Sequence, residues 1–207
     1  LLGGGDTTFS NKLSFTITSV GYSKKIIYRN QSNVNNDIYV TGNLGDSFIG
    51  LQVLKNKIKL NKSKTKYFIN KYYMPDIQNK FSKNLLSLAT SSMDISDGLI
   101  TDLNKLINKQ NFSYKIYEKL IPVSRNLNNL INSKNLKKID LVSNGDDYQI
   151  LFTAKPNKAR IIKKISKSLG VKISKIGTIL SGKNKSLILD QKGREIAINV
   201  DGYIHQF

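Results

Sequence analysis

The chain has 207 residues, 39% of them hydrophobic, and 33 Lys and Arg against 14 Asp and Glu, a formal net charge of +19. It contains no cysteine and one histidine, His205, which excludes disulfides, thiolate metal sites and a cysteine nucleophile and disfavours a histidine-based triad. Neither a membrane-spanning apolar run nor an N-terminal signal pattern is present, so we expect a cytoplasmic globular protein with no membrane partner. Catalysis in such a chain must rely on carboxylates, backbone amides, Lys, Arg and bound cations, the groups that serve phosphoryl transfer.

The strongly positive charge has two interpretations. One is a nucleic-acid partner. The other is a lysine-rich surface without a specific partner, and it is favoured because the lysines are scattered singly, as at Lys55, Lys57 and Lys59. The chain also lacks an RNP-type aromatic motif, a zinc finger and a long basic tail. We therefore expect no specific nucleic-acid partner, although a positive field attracts polyphosphates.

The N-terminal stretch combines a glycine run with a carboxylate. Gly3–Gly5 allow the backbone to turn close to a ligand, and Asp6 follows directly. Further on, Leu13, Phe15 and Ile17 alternate with polar residues, which predicts a half-buried strand.

The next part of the chain predicts a strand, a glycine turn and a helix. The strand is expected over Asp37–Thr41 and the helix over Ser47–Leu54, with Gly42 and Gly45 between them. This arrangement suits the approach of a phosphate, but it lacks the full dinucleotide or P-loop fingerprint, so neither is assigned. A further amphipathic helix is expected over 77–88.

The stretch from 91 to 107 is the most informative. Apolar residues recur at i, i+4, i+7 and i+8 from Leu99, which predicts a helix with one apolar face. Asp94, Ser96 and Asp97 stand just ahead of it. A helix start suits a phosphate and carboxylates suit a divalent cation, but Asp94 or Ser96 could equally serve only as the helix cap.

A second acidic group precedes an apolar strand near the C-terminal third. Asn144 and Gly145 indicate a turn, Asp146 and Asp147 follow it, and a strand is expected over Tyr148–Thr153. Paired acids at a turn are commonly solvated, but their position before a buried strand favours a site.

The remaining pattern predicts mixed strands and helices, and therefore an α/β sandwich with a mixed sheet and no simple parallel winding. The elements expected are a strand over Tyr114–Glu118, a short helix within Ile121–Asn135, a helix over Pro156–Leu169, a strand over Val171–Ile179 and a hairpin of Leu187–Leu189 with Glu195–Val200.

Four stretches together resemble one family, thiamine-monophosphate kinase, in order and spacing. They are Gly3–Thr8, Ile38–Ser47, Ser92–Leu103 and Ser143–Thr153, and the closing Gly202–His205 is similar to the family's terminal motif. The wider superfamily includes aminoimidazole ribonucleotide synthase and selenophosphate synthetase, which share the fold. The resemblance implies ATP-dependent phosphorylation of thiamine monophosphate to thiamine diphosphate, with no covalent enzyme intermediate.

The resemblance also implies roles for particular residues. Nucleotide contacts are expected from Gly5, Asp6, Arg29 and Ser96, Mg²⁺ ligands from Asp6, Asp94 and Asp97, and thiamine-phosphate contacts from Asp146 and Tyr203. Asp146 stands where the family usually has Glu, so its side chain is one methylene shorter.

The family's N-terminal half, which carries further metal ligands and the strands of a dimer barrel, is not represented in this chain. We therefore expect residues 1–23 to be the last strand and loop of the N-terminal ATP-binding domain, and 24–207 to be the C-terminal α/β domain. A homodimer through the N-terminal half is the expected assembly. The alternatives are a truncated or degenerate remnant without turnover and another ATP-using member of the superfamily.

Overall fold

A six-stranded mixed sheet forms the centre of the computed structural model, which describes residues 3–23, 25–182 and 185–197. The strands are β1 (Asp37–Thr41), β2 (Ala89–Ile95), β3 (Phe112–Tyr117), β4 (Gln149–Ala154), β5 (Ile173–Ser181) and β6 (Leu187–Leu189). They lie in the order β2-β4-β1-β5-β3-β6, and every pairing is antiparallel except that of β3 with β6. The expected mixed sheet is confirmed.

Helices cover both faces of this sheet and one end of it. They are α1 (Asp46–Leu54), α2 (Lys62–Tyr73), α3 (Asn79–Leu88), α4 (Leu99–Ile107), α5 (Arg125–Lys134), α6 (Lys138–Val142) and α7 (Ala159–Leu169). Within the described residues the longest helix, α2, has 12 residues, and none combines the length and apolar character needed to span a bilayer.

The central strand β1 is buried on both faces and shows how the core is divided. Ile38 and Val40 belong to the same apolar cluster as the buried face of α4. Tyr39 points to the opposite face, where its ring stacks on Phe152 at 5.2 Å between centroids. This alternation follows from the two-residue period of a strand, and each fully buried apolar side chain contributes about 2 kcal/mol.

A third cluster joins the helices beside the sheet. Ile49 of α1, Phe68 of α2 and Leu127 of α5 are fully buried in it. Gly50 lets α1 and α2 approach closely, because a Cβ there would lie 2.2 Å from the Phe68 carbonyl oxygen. Neither α2 nor α6, which both contribute to this cluster, was predicted.

The predicted strand around Leu13–Ile17 is wrong. Leu13, Phe15 and Ile17 are 87%, 82% and 91% exposed, and the segment is not in a strand. A strand requires a neighbouring backbone to satisfy its N–H and C=O groups, and no strand among the described residues pairs with this segment.

The other predicted elements are found with small shifts in their ends. The hairpin after β6 is supported by the Leu189–Glu195 bridge and by the Ile196 N–H donating to the Ile188 carbonyl at 2.8 Å. The end of its second strand and Tyr203 lie outside the described residues.

Candidate functional site

The loop between β2 and α4 is held by one buried carboxylate. Asp102 Oδ2 accepts the backbone N–H groups of Ser96 at 2.9 Å, Asp97 at 2.9 Å and Gly98 at 3.2 Å. Asp102 is fully buried and lies in the first turn of α4, where unpaired N–H groups favour a negative charge. Burial raises its pKa, while the hydrogen bond from the Asp97 N–H and the Lys105 ammonium act in the opposite direction.

This arrangement decides against the cap interpretation of the helix start. Asp94 lies within β2 and Gly98 is the N-cap residue with no side-chain cap, so neither Asp94 nor Ser96 caps α4. Because the N–H groups of Ser96, Asp97 and Gly98 donate to Asp102, they are not free for a phosphate.

Asp97 has a cationic partner in Lys105. The Lys105 ammonium contacts Asp97 Oδ2 and lies 3.4 Å from Asp102 Oδ1, so one lysine links the two carboxylates. The pKa of Lys105 is raised, chiefly by its hydrogen bond to Asp97. Asp97 remains partly accessible, with 22% of its side chain exposed.

A second loop, Asn144–Tyr148, packs directly on the first. The Asp146 N–H donates to the Ser96 carbonyl at 2.9 Å, and the Tyr148 N–H to the Ile95 carbonyl at 2.8 Å. Gly145 permits this approach, because a Cβ there would lie 1.8 Å from the Ser96 carbonyl oxygen. The two loops therefore form one unit at the edge where β2 ends and β4 begins.

The backbone of this second loop is also unusual. Asp146 and Tyr148 have φ of 67° and 49°, in the left-handed region that residues other than glycine seldom adopt. Such conformations concentrate at functional sites because the surrounding structure must compensate their cost.

Both loops line one open cleft of about 790 Å³. They contribute Ser96, Asp97 and Asp146, and the lining also includes Lys55, which follows α1, and Tyr72 of α2. Burial raises the pKa of Asp146, and the charge of Asp97 raises it further. The cleft therefore combines neighbouring carboxylates with a cation in the same lining, a set that can bind divalent cations and phosphates together.

The adjacent acid Asp147 has a different role. It is buried, and its Oδ2 accepts the Gly45 N–H at 2.7 Å, just before α1 begins. Burial raises the pKa of Asp147 to about 8. The paired acids are thus divided between the cleft and the start of a helix.

The other expected site residues are not brought into this cleft. Gly5 and Asp6 are exposed, and Asp6 accepts the Thr7 N–H at 2.7 Å. Arg29 is exposed beside Asn30, whose N–H donates to the Leu106 carbonyl at the far end of α4 from Ser96.

Asp94 is exposed in β2. It lies near Tyr148, whose pKa is raised by burial, by Asp146 and also by the charge of Asp94. Among the described residues no three acidic or histidine side chains are grouped as a metal site. The roles expected for Asp6, Arg29 and Asp94 therefore stay predictions, as does that of Tyr203, which lies outside the described residues.

The pattern of the sequence did contain a signal for Asp102, which was missed. It lies three residues after Leu99, so it falls on the buried face of α4 among apolar neighbours. A carboxylate at such a position requires hydrogen-bond partners.

Residues 33–190 match the family model described as "AIR synthase related protein, C-terminal domain". The chain belongs to this family. Its relatives include a thiamine-monophosphate kinase of Buchnera aphidicola subsp. Acyrthosiphon pisum, which is 33% identical over 201 residues, covering 92% of this chain and 62% of the relative. The chain therefore spans less than two thirds of that relative's length.

Solved structures show the same fold. The crystal structure of thiamine monophosphate kinase from Aquifex aeolicus matches with a TM-score of 0.70 and 24% identity, over 85% of this chain and 56% of that one. A structure of AaThiL complexed with AMPPCP and TMP matches with a TM-score of 0.71 and 24% identity, over 87% and 54% of the two chains.

Proposed function

We propose that the chain is the C-terminal part of a thiamine-monophosphate kinase that transfers the γ-phosphoryl group of ATP to thiamine monophosphate, giving thiamine diphosphate. The observation that carries this proposal is the shared cleft, in which the Ser96–Asp97 loop and Asp146 lie within one packed unit. The named relatives and the solved complex of AaThiL with AMPPCP and TMP support the same reaction.

The chemistry of the donors fits Mg²⁺. Carboxylate oxygens are the ligands that Mg²⁺ takes from proteins, and Asp97 already attracts the Lys105 ammonium. We propose Asp94 and Asp97 as ligands in this chain, together with Asp6 on the family resemblance. When bound, Mg²⁺ neutralises phosphate charge that would otherwise keep two anionic substrates apart.

The side chains of the cleft then have separate tasks. The Ser96 hydroxyl is proposed to contact ATP, and Asp146 the thiamine phosphate. Lys55, which also lines the cleft, is placed to attract phosphate into it. Asp102 keeps the Ser96–Gly98 backbone in one conformation, so that these groups are in position before the substrates bind. We also propose a homodimeric, cytoplasmic enzyme, on the family resemblance alone.

Calorimetry of Mg²⁺·ATP binding to the 207-residue chain tests the proposal. We expect Asp97→Asn to weaken binding by about tenfold or more, because it removes a charge that holds the cation. Asp76→Asn is the control, since Asp76 is 63% exposed and does not line the cleft. With Mg²⁺ chelated, wild type and Asp97→Asn should bind ATP equally weakly. Equal Mg²⁺-dependent binding by all three proteins would reject the site.

A further inference from the structure

Four cationic side chains converge on a groove that shares no residue with the cleft. They come from four parts of the chain: Lys119 before α5, Arg125 at the start of α5, Lys138 at the start of α6 and Lys172 just before β5. The groove has a volume of about 560 Å³, and Pro122 is among its apolar lining residues. Residues so far apart in sequence are brought together only by folding.

These four charges are not neutralised by ion pairs. Within the described ranges, none of the four cations lies within 4 Å of a carboxylate oxygen. The ammonium of Lys138 donates to the Glu118 carbonyl at 2.8 Å, and that of Lys172 to Asn43 Oδ1 at 2.7 Å. Both acceptors are neutral oxygens, so they fix the positions of the ammonium groups without cancelling their charge.

Two of the lysines are also partly removed from water. Burial lowers the pKa of Lys138, and the neighbouring charge of Lys172 lowers it further, although Glu118 opposes both effects. Burial likewise lowers the pKa of Lys172, although the negative charge of Asp46 raises it. The two ammonium groups therefore repel each other where solvent screens them less, and a bound anion would relieve that repulsion.

The helix that borders the groove adds to the positive potential. Ten-residue α5 begins at Arg125, so its positive end lies beside the four side chains. The Ser124 hydroxyl is already used, donating to Asp46 Oδ1 at 2.7 Å and accepting the Leu127 N–H at 3.0 Å. The side chains of Lys and Arg, rather than this hydroxyl, are therefore the groups available to a ligand.

We propose that this groove is a second binding site, for a small multivalent anion such as a polyphosphate or a phosphate ester. A volume of about 560 Å³ is that of a small-molecule pocket, and guanidinium and ammonium groups are the usual donors to phosphate oxygens. The site does not depend on the proposed kinase function, because its residues take no part in the cleft. An extended nucleic acid is disfavoured because the charges surround a pocket of limited size.

The test uses inorganic pyrophosphate as the probe, in buffer with EDTA and about 0.15 M salt. Without divalent cations, the carboxylates of the kinase cleft repel this anion. We expect saturable binding by calorimetry, weakened about tenfold or more in the double variant Lys138→Gln/Lys172→Gln. The control is Lys163→Gln/Lys167→Gln, which removes the same charge from two exposed positions of α7 and should change the affinity less than twofold.

Three outcomes would overturn the proposal. The first is that wild type shows no saturable binding of pyrophosphate, and the second is that both double variants lose the same affinity. The third is that a 20-nucleotide single strand binds more tightly than pyrophosphate and that only the groove variant loses this binding. Should Lys138→Gln fail to fold through loss of its Glu118 contact, Lys119→Gln/Lys172→Gln replaces it, since this pair leaves that contact intact. Its affinity should also fall severalfold below that of the α7 control.

Discussion

The carboxylate of Asp147 accepts the backbone N–H of Gly45 at 2.7 Å, and this bond ties the start of β4 to the start of α1. The acid is buried next to a second buried acid, Asp46, whose charge adds to the effect of burial on Asp147. Two elements that border the cleft are therefore joined through an ionisable group.

We predict that this group makes stability depend on pH. The pKa of Asp147 is raised by burial to about 8, above its ordinary value of 3.8, so between these values the folded state binds more protons than the unfolded state. Its contribution to stability is therefore largest below about pH 4 and is lost as the pH rises through about 8.

The variant Asp147→Asn should remove this dependence, because the amide keeps an acceptor for Gly45 but does not titrate. Urea unfolding from pH 4 to 8 should show the wild-type free energy of unfolding falling relative to the variant, by up to about 1.4 kcal/mol per pH unit. Parallel curves for the two proteins would contradict the prediction.

A second prediction concerns Asp102. Its replacement by Asn removes a charged acceptor from three backbone N–H groups and a partner from Lys105, so we expect the free energy of unfolding to fall by about 3 kcal/mol. Asp140→Asn is the matched control, because Asp140 Oδ1 is buried with no hydrogen-bond partner among the described residues. That change should cost less than about 1 kcal/mol or stabilise the chain. Equal losses in urea unfolding would argue against the special role of Asp102.

A third prediction concerns the contact between the two loops. Gly145→Ala places a Cβ only 1.8 Å from the Ser96 carbonyl oxygen, so the two loops must separate. We expect a loss of stability of about 2–3 kcal/mol and weaker Mg²⁺·ATP binding. Gly21→Ala serves as the control, since nothing lies within 4 Å of a Cβ at that position, and it should leave both measurements unchanged. A neutral Gly145→Ala would mean that the loops are not held in this packing.

A fourth prediction concerns turnover. The chain covers 62% of its Buchnera relative, so the rest of that enzyme has no counterpart in this sequence. Since each tenfold loss of rate needs only about 1.4 kcal/mol of lost transition-state stabilisation, we expect no useful formation of thiamine diphosphate by these 207 residues alone. Fusion to the N-terminal part of the Buchnera enzyme should restore activity in a coupled assay. Turnover of about one per second by the unfused chain would show that this part is dispensable.

The periodicity of the sequence predicted the elements whose burial is decided locally. The strand expected over Asp37–Thr41 is found as β1, and the spacing from Leu99 located α4, because each element has only one or two faces to bury. The same rule failed at Leu13–Ile17, since alternation describes a strand only where a partner strand is available. The pattern of one segment carries no information about that partner.

The site was predictable in part, for a related reason. The motifs located the loops that bear Asp97 and Asp146, and both line the cleft. They did not reveal that the Asp102 carboxylate accepts hydrogen bonds from the N–H groups of the first loop. Such bonds depend on the path of the backbone, which the motifs do not describe. The convergence of Lys138 and Lys172 on one groove was likewise hidden in a chain with 33 basic residues.

The pairing of β2 with β4 has a consequence for how this site can evolve. Ile95 lies opposite Gln149, and the acids of the cleft follow and precede these partners by only a few residues. Because side chains alternate between the faces of a sheet, inserting or deleting a single residue in the regularly paired part of either strand, beyond the bulge at Ala89–Ser91, would reverse the face of the residues between it and the loop. The alignment of Asp97 with Asp146 would then be lost even if every motif were retained. Lineages that keep this chemistry should therefore accumulate substitutions in β2 and β4 but exclude length changes there, a bias that can be measured by comparing the strands across genomes.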